Sequence, residues 1–375
     1  MQGRTLAKGP CRERNPETNL AAAPAHRIAG GGTGGHVLPA LAVVEELRGR
    51  DLPLQLQWVG SHAGVEQESA ERAGIPFAAV QTGKLRRYPS MRTVTDAGRI
   101  PVGLLQARRA LTAFRPDVVL STGGFVSVPT VLAAKGIAPV VTHEQTAILG
   151  LATRIDARAA DVLAVSWDAT GEAARKIHHR VVVTGNPVRA SLREGVAARG
   201  FAAFGFDPTM PLVYVTGGAR GASPINSRIA ALLPGLLESC QVLHQTGPES
   251  ANSDLADLRE QQSRWPEHLR RRYHAVDFIR DELADVYAAA SIVIGRSGAG
   301  TVAELSVLGV PAILIPLPGA GGDEQTVNAR LLAEAGAAIL LPQDQATPER
   351  LGKALAALLA DPERRSRMSA IGRRL

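Results

Sequence analysis

The chain has 375 residues, of which 45% are hydrophobic, 21% charged and 4% aromatic, a size and balance that fit two globular units of about 150 residues each and exclude a fibrous or wholly disordered class. Its two cysteines, Cys11 and Cys240, have no CxxC partner, so they can build neither a disulfide framework nor a thiol metal site, and they point to a reducing cytoplasmic compartment. Net charge is +7, and the longest apolar runs, such as Ala312 to Leu317, stop far short of the roughly 20 residues that span a bilayer.

Residues 1–25 carry Arg, Pro, Glu and Asn without an apolar signal-peptide centre and read as a disordered extension. From there the order is strand, glycine loop, helix, repeated. A strand at 26–29 enters the loop GGGTGGH (Gly30 to His36), and a helix follows with Val37, Leu41, Val44 and Leu47 at helical spacing. Apolar strands are expected at 54–59, 77–81, 118–121, 139–142, 162–165 and 181–184, mostly separated by amphipathic segments. After GNPVR (Gly185 to Arg189) the pattern restarts: a strand at 212–216, the loop GGARGA (Gly217 to Ala222), a helix at 225–237, then strands at 241–245, 274–278, 291–294, 312–315 and 337–341. Strands alternating with helices predict parallel sheets covered on both faces. The expected architecture is α/β, with two Rossmann-like parallel-sheet domains facing across a cleft, residues 26–188 and 189–360, and a C-terminal helix at 361–375.

Between residues 84 and 115 there are eight basic residues against one acid, Asp96, so this segment holds a charge equal to that of the whole chain. Its cations include Lys84, Arg86, Arg87, Arg99, Arg108 and Arg109, and they flank the apolar Ile100, Pro101, Val102, Leu104 and Leu105. Cations around aliphatic side chains suit an anionic lipid surface, at about 1 kcal/mol for each Lys or Arg near the leaflet. The alternative is a solvated basic helix whose aliphatics face the core. Nucleic acid is not expected as a partner, because only Tyr88 and Phe114 could stack bases there and no base-reading motif is present.

Gly30, Gly32 and Gly35 formally satisfy G-x-G-x-x-G, but residues Trp58 to His62 supply no acid for a dinucleotide ribose, and no GxxxxGK[ST] exists. What the first loop offers is backbone amides, the Thr33 hydroxyl and His36 at the mouth of a helix, where the dipole favours a neutral imidazole that can accept a proton. A capping histidine without chemical role is the alternative. The second glycine loop, GRSGAGTVAEL (Gly295 to Leu305), would aim the amides of Ala299, Gly300 and Thr301 at a diphosphate, with Glu304 one turn on as a ribose acceptor or else a solvated glutamate. Asp323, Glu324, Gln325 and Asn328 follow a strand end and could meet sugar hydroxyls. No metal cluster is evident.

Taken in order and spacing, GGGTGGHVLPALAV (Gly30 to Val43), STGGFVSVP (Ser121 to Pro129), HEQ (His143 to Gln145), GNPVR, GGARGA, GRSGAGTVAEL and DEQTVNA (Asp323 to Ala329) resemble the MurG family of glycosyltransferase family 28, over about residues 26 to 360. The resemblance implies a GT-B fold and an inverting transfer of GlcNAc from UDP-GlcNAc to the 4-hydroxyl of MurNAc in lipid I, giving lipid II for peptidoglycan. It implies no cofactor and no obligatory metal. Its implied partners are UDP-GlcNAc, lipid I, an anionic membrane surface and other cell-wall synthesis enzymes, at a peripheral place on the cytoplasmic face of the cell membrane. By family pattern Thr33, Gly34 and Gly35 lie near the sugar and acceptor diphosphate, Arg189 lies in the donor site and the backbone at Ile279 meets the uracil. Glu304 meets the ribose, Ala299 to Thr301 the diphosphate, and Gln325 the GlcNAc hydroxyls, while His36 is the base, with Glu144 as the second candidate. The chain departs from the pattern at Thr146, where Asn is usual, at Ala219, where Ser is usual, and in ending after an Arg-rich helix where the family continues. Those departures leave a nucleotide-sugar-binding paralogue as an alternative, beside a UDP-GlcNAc 2-epimerase on the same two-domain plan.

Overall fold

The computed structural model describes residues 25–375 except 30, 32–33, 51–53, 63, 84–90 and 320–321, and only the backbone of 25–26 and 91–99. The expected extension lies outside the described residues, save Ala25, which opens the first strand.

Two parallel sheets follow one another along the chain. The first contains β1 (Ala25–Ala29), β2 (Gln55–Ser61), β3 (Phe77–Val80), β4 (Val118–Ser121), β5 (Val140–Glu144), β6 (Val162–Val165) and β7 (Val181–Val183), in the order β3-β2-β1-β4-β5-β6-β7. Its helices are α1 (Gly34–Gly49), α2 (Val65–Arg72), α3 (Met91–Phe114), α4 (Val128–Ala134), α5 (Leu151–Asp156) and α6 (Asp168–Arg175). After α7 (Ala197–Ala203) comes the second sheet: β8 (Leu212–Thr216), β9 (Gln241–Gln245), β10 (Tyr273–Val276), β11 (Ala290–Gly295), β12 (Ala312–Leu314) and β13 (Ala338–Leu340), ordered β10-β9-β8-β11-β12-β13. It is covered by α8 (Ser223–Leu232), α9 (Asp254–Ser263), α10 (Glu267–Arg270), α11 (Leu283–Ala289), α12 (Ala299–Leu308), α13 (Glu324–Ala335), α14 (Pro348–Ala360) and α15 (Pro362–Gly372).

Inner strands such as β6 (VLAV) and β8 (LVYVT) read as apolar runs because both faces of the sheet are buried there. In β8, Val213 and Val215 pack with Ile225, Ile229, Leu351 and Leu355, while Leu212 and Tyr214 face Leu243, Val293 and Leu305. In β1, Ile28 joins Val37, Val44 and Trp58 on one face and Ala29 joins Val59, Leu111 and Val119 on the other. Each fully buried aliphatic side chain contributes about 1.5–3 kcal/mol.

Two expectations are corrected. The helix expected at 225–237 ends at Leu232: Leu233 is extended, as a residue before proline must be, and the chain resumes as a 3-10 turn, Gly235–Glu238. The strand expected at 139–142 runs to Glu144, so that His143 and Glu144 pair with Ala164 and Val165 of β6.

The strand order of each sheet reverses once, between β1 and β4 and between β8 and β11. Loops leaving the carboxyl ends of strands at such a reversal diverge and leave a crevice. The start of α1 and the loops after β4, β8 and β11 therefore lie at the reversal point of their own sheet.

Candidate active site

His36 lies in the first turn of α1, and its carbonyl accepts a 2.7 Å hydrogen bond from the Thr122 hydroxyl in the loop after β4. Its ring rests on the two residues that follow. Gly123 and Gly124 have φ of +81° and +80°, and a Cβ on either would stand 3.5 Å from imidazole atoms. Left-handed backbone and close approach together call for glycine at both positions. Burial lowers the His36 pKa, against the pull of the Glu144 and then the Glu66 carboxylates, so the ring is neutral near pH 7. Desolvation is the leading cause. Gly34 and Gly35 open α1, and Thr33 lies outside the described residues.

Glu144 is buried with every acceptor position in use. Its Oε1 accepts from the Thr146 amide at 3.1 Å and hydroxyl at 2.9 Å, and its Oε2 accepts from the Gly150 amide at 2.8 Å and the Thr153 hydroxyl at 2.6 Å. A carboxylate so occupied shapes the loop after β5, and it accepts no proton without losing a bond. Thr146 is turned into that loop, its hydroxyl also 2.6 Å from the Ile148 carbonyl. His143, its pKa lowered by burial, donates from Nε2 to the Gly185 carbonyl at 3.0 Å, which leaves Nδ1 to accept from the Gln145 amide at 3.2 Å. Gln145 in turn donates to the Thr122 carbonyl at 2.8 Å. The HEQ run therefore ties the loop that carries His36's support to the chain leaving the first half.

In the second half, α12 begins at Ala299 after Gly298, and the amides of Ala299, Gly300 and Thr301 have no acceptor within the helix. A Cβ built at Gly298 or Gly300 meets nothing within 4 Å, so the backbone there is open to a ligand. Glu304, one turn on, is not a solvated glutamate: it is buried and accepts from the Tyr287 hydroxyl at 2.9 Å. Burial raises its pKa, opposed by that hydrogen bond and by nearby Arg189, whose Nε is buried without a partner. The Ile279 amide donates to Gln245 Oε1 at 3.0 Å, so only its carbonyl remains for a base. Gln325 accepts from the Leu317 amide at 3.0 Å through its side chain and from the Ser297 hydroxyl at 2.7 Å through its carbonyl. Ala219 and neighbouring Arg220 are exposed in the loop after β8.

Three residues that the sequence reading passed over organise these loops. Gln245, buried at the end of β9, also accepts from the Tyr214 hydroxyl and donates to Thr216 and Gly218, binding the loops after β8, β9 and β10 to one another. Ser297 holds Gln325 as described. Asp156 lies fully buried beneath the Gly123–Gly124 turn. The available signal is a polar residue at the carboxyl end of an otherwise apolar strand or helix, where burial without a partner is costly.

The two halves meet here. Asn328, fully buried, accepts from the Ala147 amide at 3.2 Å and donates to the Ser297 carbonyl at 3.2 Å, and Asn186 donates to the Ala299 carbonyl at 3.2 Å. Helix α1 packs against α12.

The basic segment is partly described: Lys84, Arg86 and Arg87 lie outside the described residues, and of Arg99 only the backbone is described, within α3. Ile100 is half-buried and Leu104 packs on Ala107, Leu111 and Val131, whereas Val102, Leu105, Arg108 and Arg109 are exposed. Phe114 is no stacking platform, since the buried Arg27 guanidinium lies 4.8 Å over its ring. Among the described residues no helix is long and apolar enough to cross a membrane, and no group of three or more His, Cys, Asp or Glu could hold a metal ion.

Residues 27–165 match the glycosyltransferase family 28 N-terminal domain and residues 212–373 the glycosyltransferase family 28 C-terminal domain. The chain is 35% identical over 343 residues to the UDP-N-acetylglucosamine--N-acetylmuramyl-(pentapeptide) pyrophosphoryl-undecaprenol N-acetylglucosamine transferase of Thermoanaerobacter sp. (strain X514), covering 91% of this chain and 92% of that one. A protein of the same name from Treponema pallidum (strain Nichols) is 38% identical over 325 residues, covering 85% and 83%. Among solved structures, Acinetobacter baumannii MurG superposes with a TM-score of 0.69 at 28% identity, over 94% of this chain and 95% of that one. With both domains matched in order and relatives at this identity spanning nearly the whole length, the chain belongs to glycosyltransferase family 28, and within it to the MurG family.

Proposed function

We propose that the protein transfers GlcNAc from UDP-GlcNAc to the MurNAc 4-hydroxyl of lipid I, with inversion, in peptidoglycan synthesis. The observation that carries this reading is the pair of glycine-bounded helix starts, α1 and α12, at the reversal points of two parallel sheets and packed against each other. The second half takes the donor. The free amides of Ala299, Gly300 and Thr301 meet the diphosphate, Glu304 the ribose, the Ile279 carbonyl the uracil and Gln325 the sugar, with Arg189 beside Glu304. The first half, from about residue 26 to 188, presents the acceptor to Thr33, Gly34, Gly35 and His36.

Neutral His36 takes the proton of the 4-hydroxyl as its oxygen attacks the anomeric carbon. The bond from that carbon to the diphosphate breaks on the opposite face, and the charge left on UDP is stabilised by the α12 amides and dipole. Glu144 holds the loop after β5. The exposed Val102, Leu105, Arg108 and Arg109 face of α3 docks on an anionic membrane surface as a peripheral contact at the cytoplasmic face.

Incubation with labelled UDP-GlcNAc and a lipid I analogue tests this. Labelled lipid II is the expected product. Donor binding without product would establish a binding paralogue instead, and UDP-ManNAc would establish an epimerase.

A further inference from the structure

A carboxyl group that the mechanism above does not use lies under the turn on which His36 rests. Asp156, the last residue of α5, is fully buried, and its Oδ2 is 3.1 Å from the Ser121 Oγ and 2.7 Å from the Ser127 Oγ. Each serine also holds one glycine of the turn. The Gly123 amide donates to Ser121 Oγ at 3.2 Å, and the Ser127 hydroxyl lies 2.8 Å from the Gly124 carbonyl, which can only accept.

A hydroxyl has one hydrogen to donate. If Ser127 gives it to Gly124, its short contact with Asp156 needs a hydrogen from the carboxyl side. With Asp156 protonated every link is made: Gly123 N–H to Ser121, Ser121 O–H to Asp156, Asp156 O–H to Ser127, and Ser127 O–H to Gly124. With Asp156 ionised, the Ser127 hydrogen must serve either the carboxylate or the glycine carbonyl, leaving that carbonyl only the Ser127 amide at 3.1 Å.

We propose that Asp156 is a positioning residue which, as a neutral acid, locks the Gly123–Gly124 turn and thereby the His36 ring, and that its ionisation loosens both. The proposal rests on the reading of His36 as the base. Burial pushes the carboxyl up to about 7; the two serine hydrogen bonds oppose that rise and the Glu144 charge adds to it. Among the described residues the surroundings supply no compensating cation. From β5 come Glu144 and His143, the latter kept neutral by burial, and from α1 comes neutral His36. From β4 and the start of α4 come only the two serines, and on α5 itself Arg154 is exposed and donates to the Leu149 carbonyl.

The test is the pH profile of kcat for wild type, Asp156→Asn, Asp156→Ala and His36→Ala, with UDP-GlcNAc binding measured beside it. Wild-type kcat is expected to decline as pH rises through about 7, where the chain loses its hydrogen. Asp156→Asn cannot ionise; its Nδ2 in place of Oδ2 still donates to Ser127 but no longer accepts from Ser121, so it should keep the Ser127–Gly124 link, retain activity within about tenfold and lose that decline. Asp156→Ala should lower kcat by about 10- to 100-fold with donor affinity unchanged, because it frees the turn without touching substrate. A wild-type decline persisting in Asp156→Asn, or wild-type kcat in Asp156→Ala, overturns the proposal. If Asp156→Ala does not fold, the Asp156→Asn profile decides alone. His36→Ala separates the two failures: wild-type kcat in that variant removes the base assignment, whereas loss of kcat there with no effect at Asp156 removes only the positioning role.

Discussion

His36 can act as a base only while neutral, and desolvation outweighs two nearby carboxylates in keeping it so. A histidine with depressed pKa loses its proton-accepting form only as pH falls through that lowered value, so the acid limb of kcat/KM should lie below the ordinary 6.5. Replacement by alanine should cost about 10²- to 10⁴-fold in kcat while the donor Kd, measured by calorimetry, stays put. Equal loss in both would make the ring a binding group. Glu304 is decided by a different readout. Its carboxylate is held by Tyr287, with Arg189 nearby, so Glu304→Ala should raise the KM for UDP-GlcNAc about tenfold, the worth of one charged hydrogen bond, and Tyr287→Phe should raise it less. An unchanged KM in Glu304→Ala would remove the ribose role.

Helix α3 shows how far a sequence can be read at the scale of an element. Its charge and its apolar residues are both visible in the chain, but which aliphatics face outward depends on packing: Leu104 joins Leu111 in the core, while Leu105 is 60% exposed beside Arg108 and Arg109. Arg99→Glu, Arg108→Glu and Arg109→Glu together should reduce sedimentation with anionic vesicles and leave turnover of a water-soluble acceptor unchanged, since at about 1 kcal/mol per cation the reversal removes several kcal/mol of adhesion. Survival of vesicle binding would end the membrane assignment. The sheet strands are legible because two buried faces leave no polar alternation to confuse them, and the glycine loops because reversal points concentrate glycine. The roles of Glu144 and Gln245 are not legible: a carboxylate that holds a loop and one that takes a proton are the same residue in a string of letters. Only their partners, four donors on Glu144 and two loops beside Gln245, tell them apart.

For the whole molecule the question is what fixes one half against the other. Asn328 rises from the second half, where its Nδ2 donates to the Ser297 carbonyl, and its Oδ1 accepts from Ala147 in the loop that Glu144 shapes in the first half. Among the described residues, Asn186 to Ala299 and Ser191 to Glu45 are further side-chain hydrogen bonds between the halves, the latter exposed, and Trp167 packs against the core of the second half. Each such bond is worth about 0.5–1.5 kcal/mol net, but truncating a fully buried amide leaves two backbone groups unpaired at about 1–3 kcal/mol. Asn328→Ala should therefore loosen the pair of halves as well as lower the melting temperature. A transfer reaction needs donor and acceptor held together, so kcat/KM should fall for both substrates, while UDP-GlcNAc, whose proposed contacts are mainly in the second half, should bind nearly as before. Small-angle scattering should show a larger radius of gyration than wild type. A lowered melting temperature with wild-type kinetics and scattering would mean that Asn328 serves the core of its own half, and that the cleft is held by other contacts.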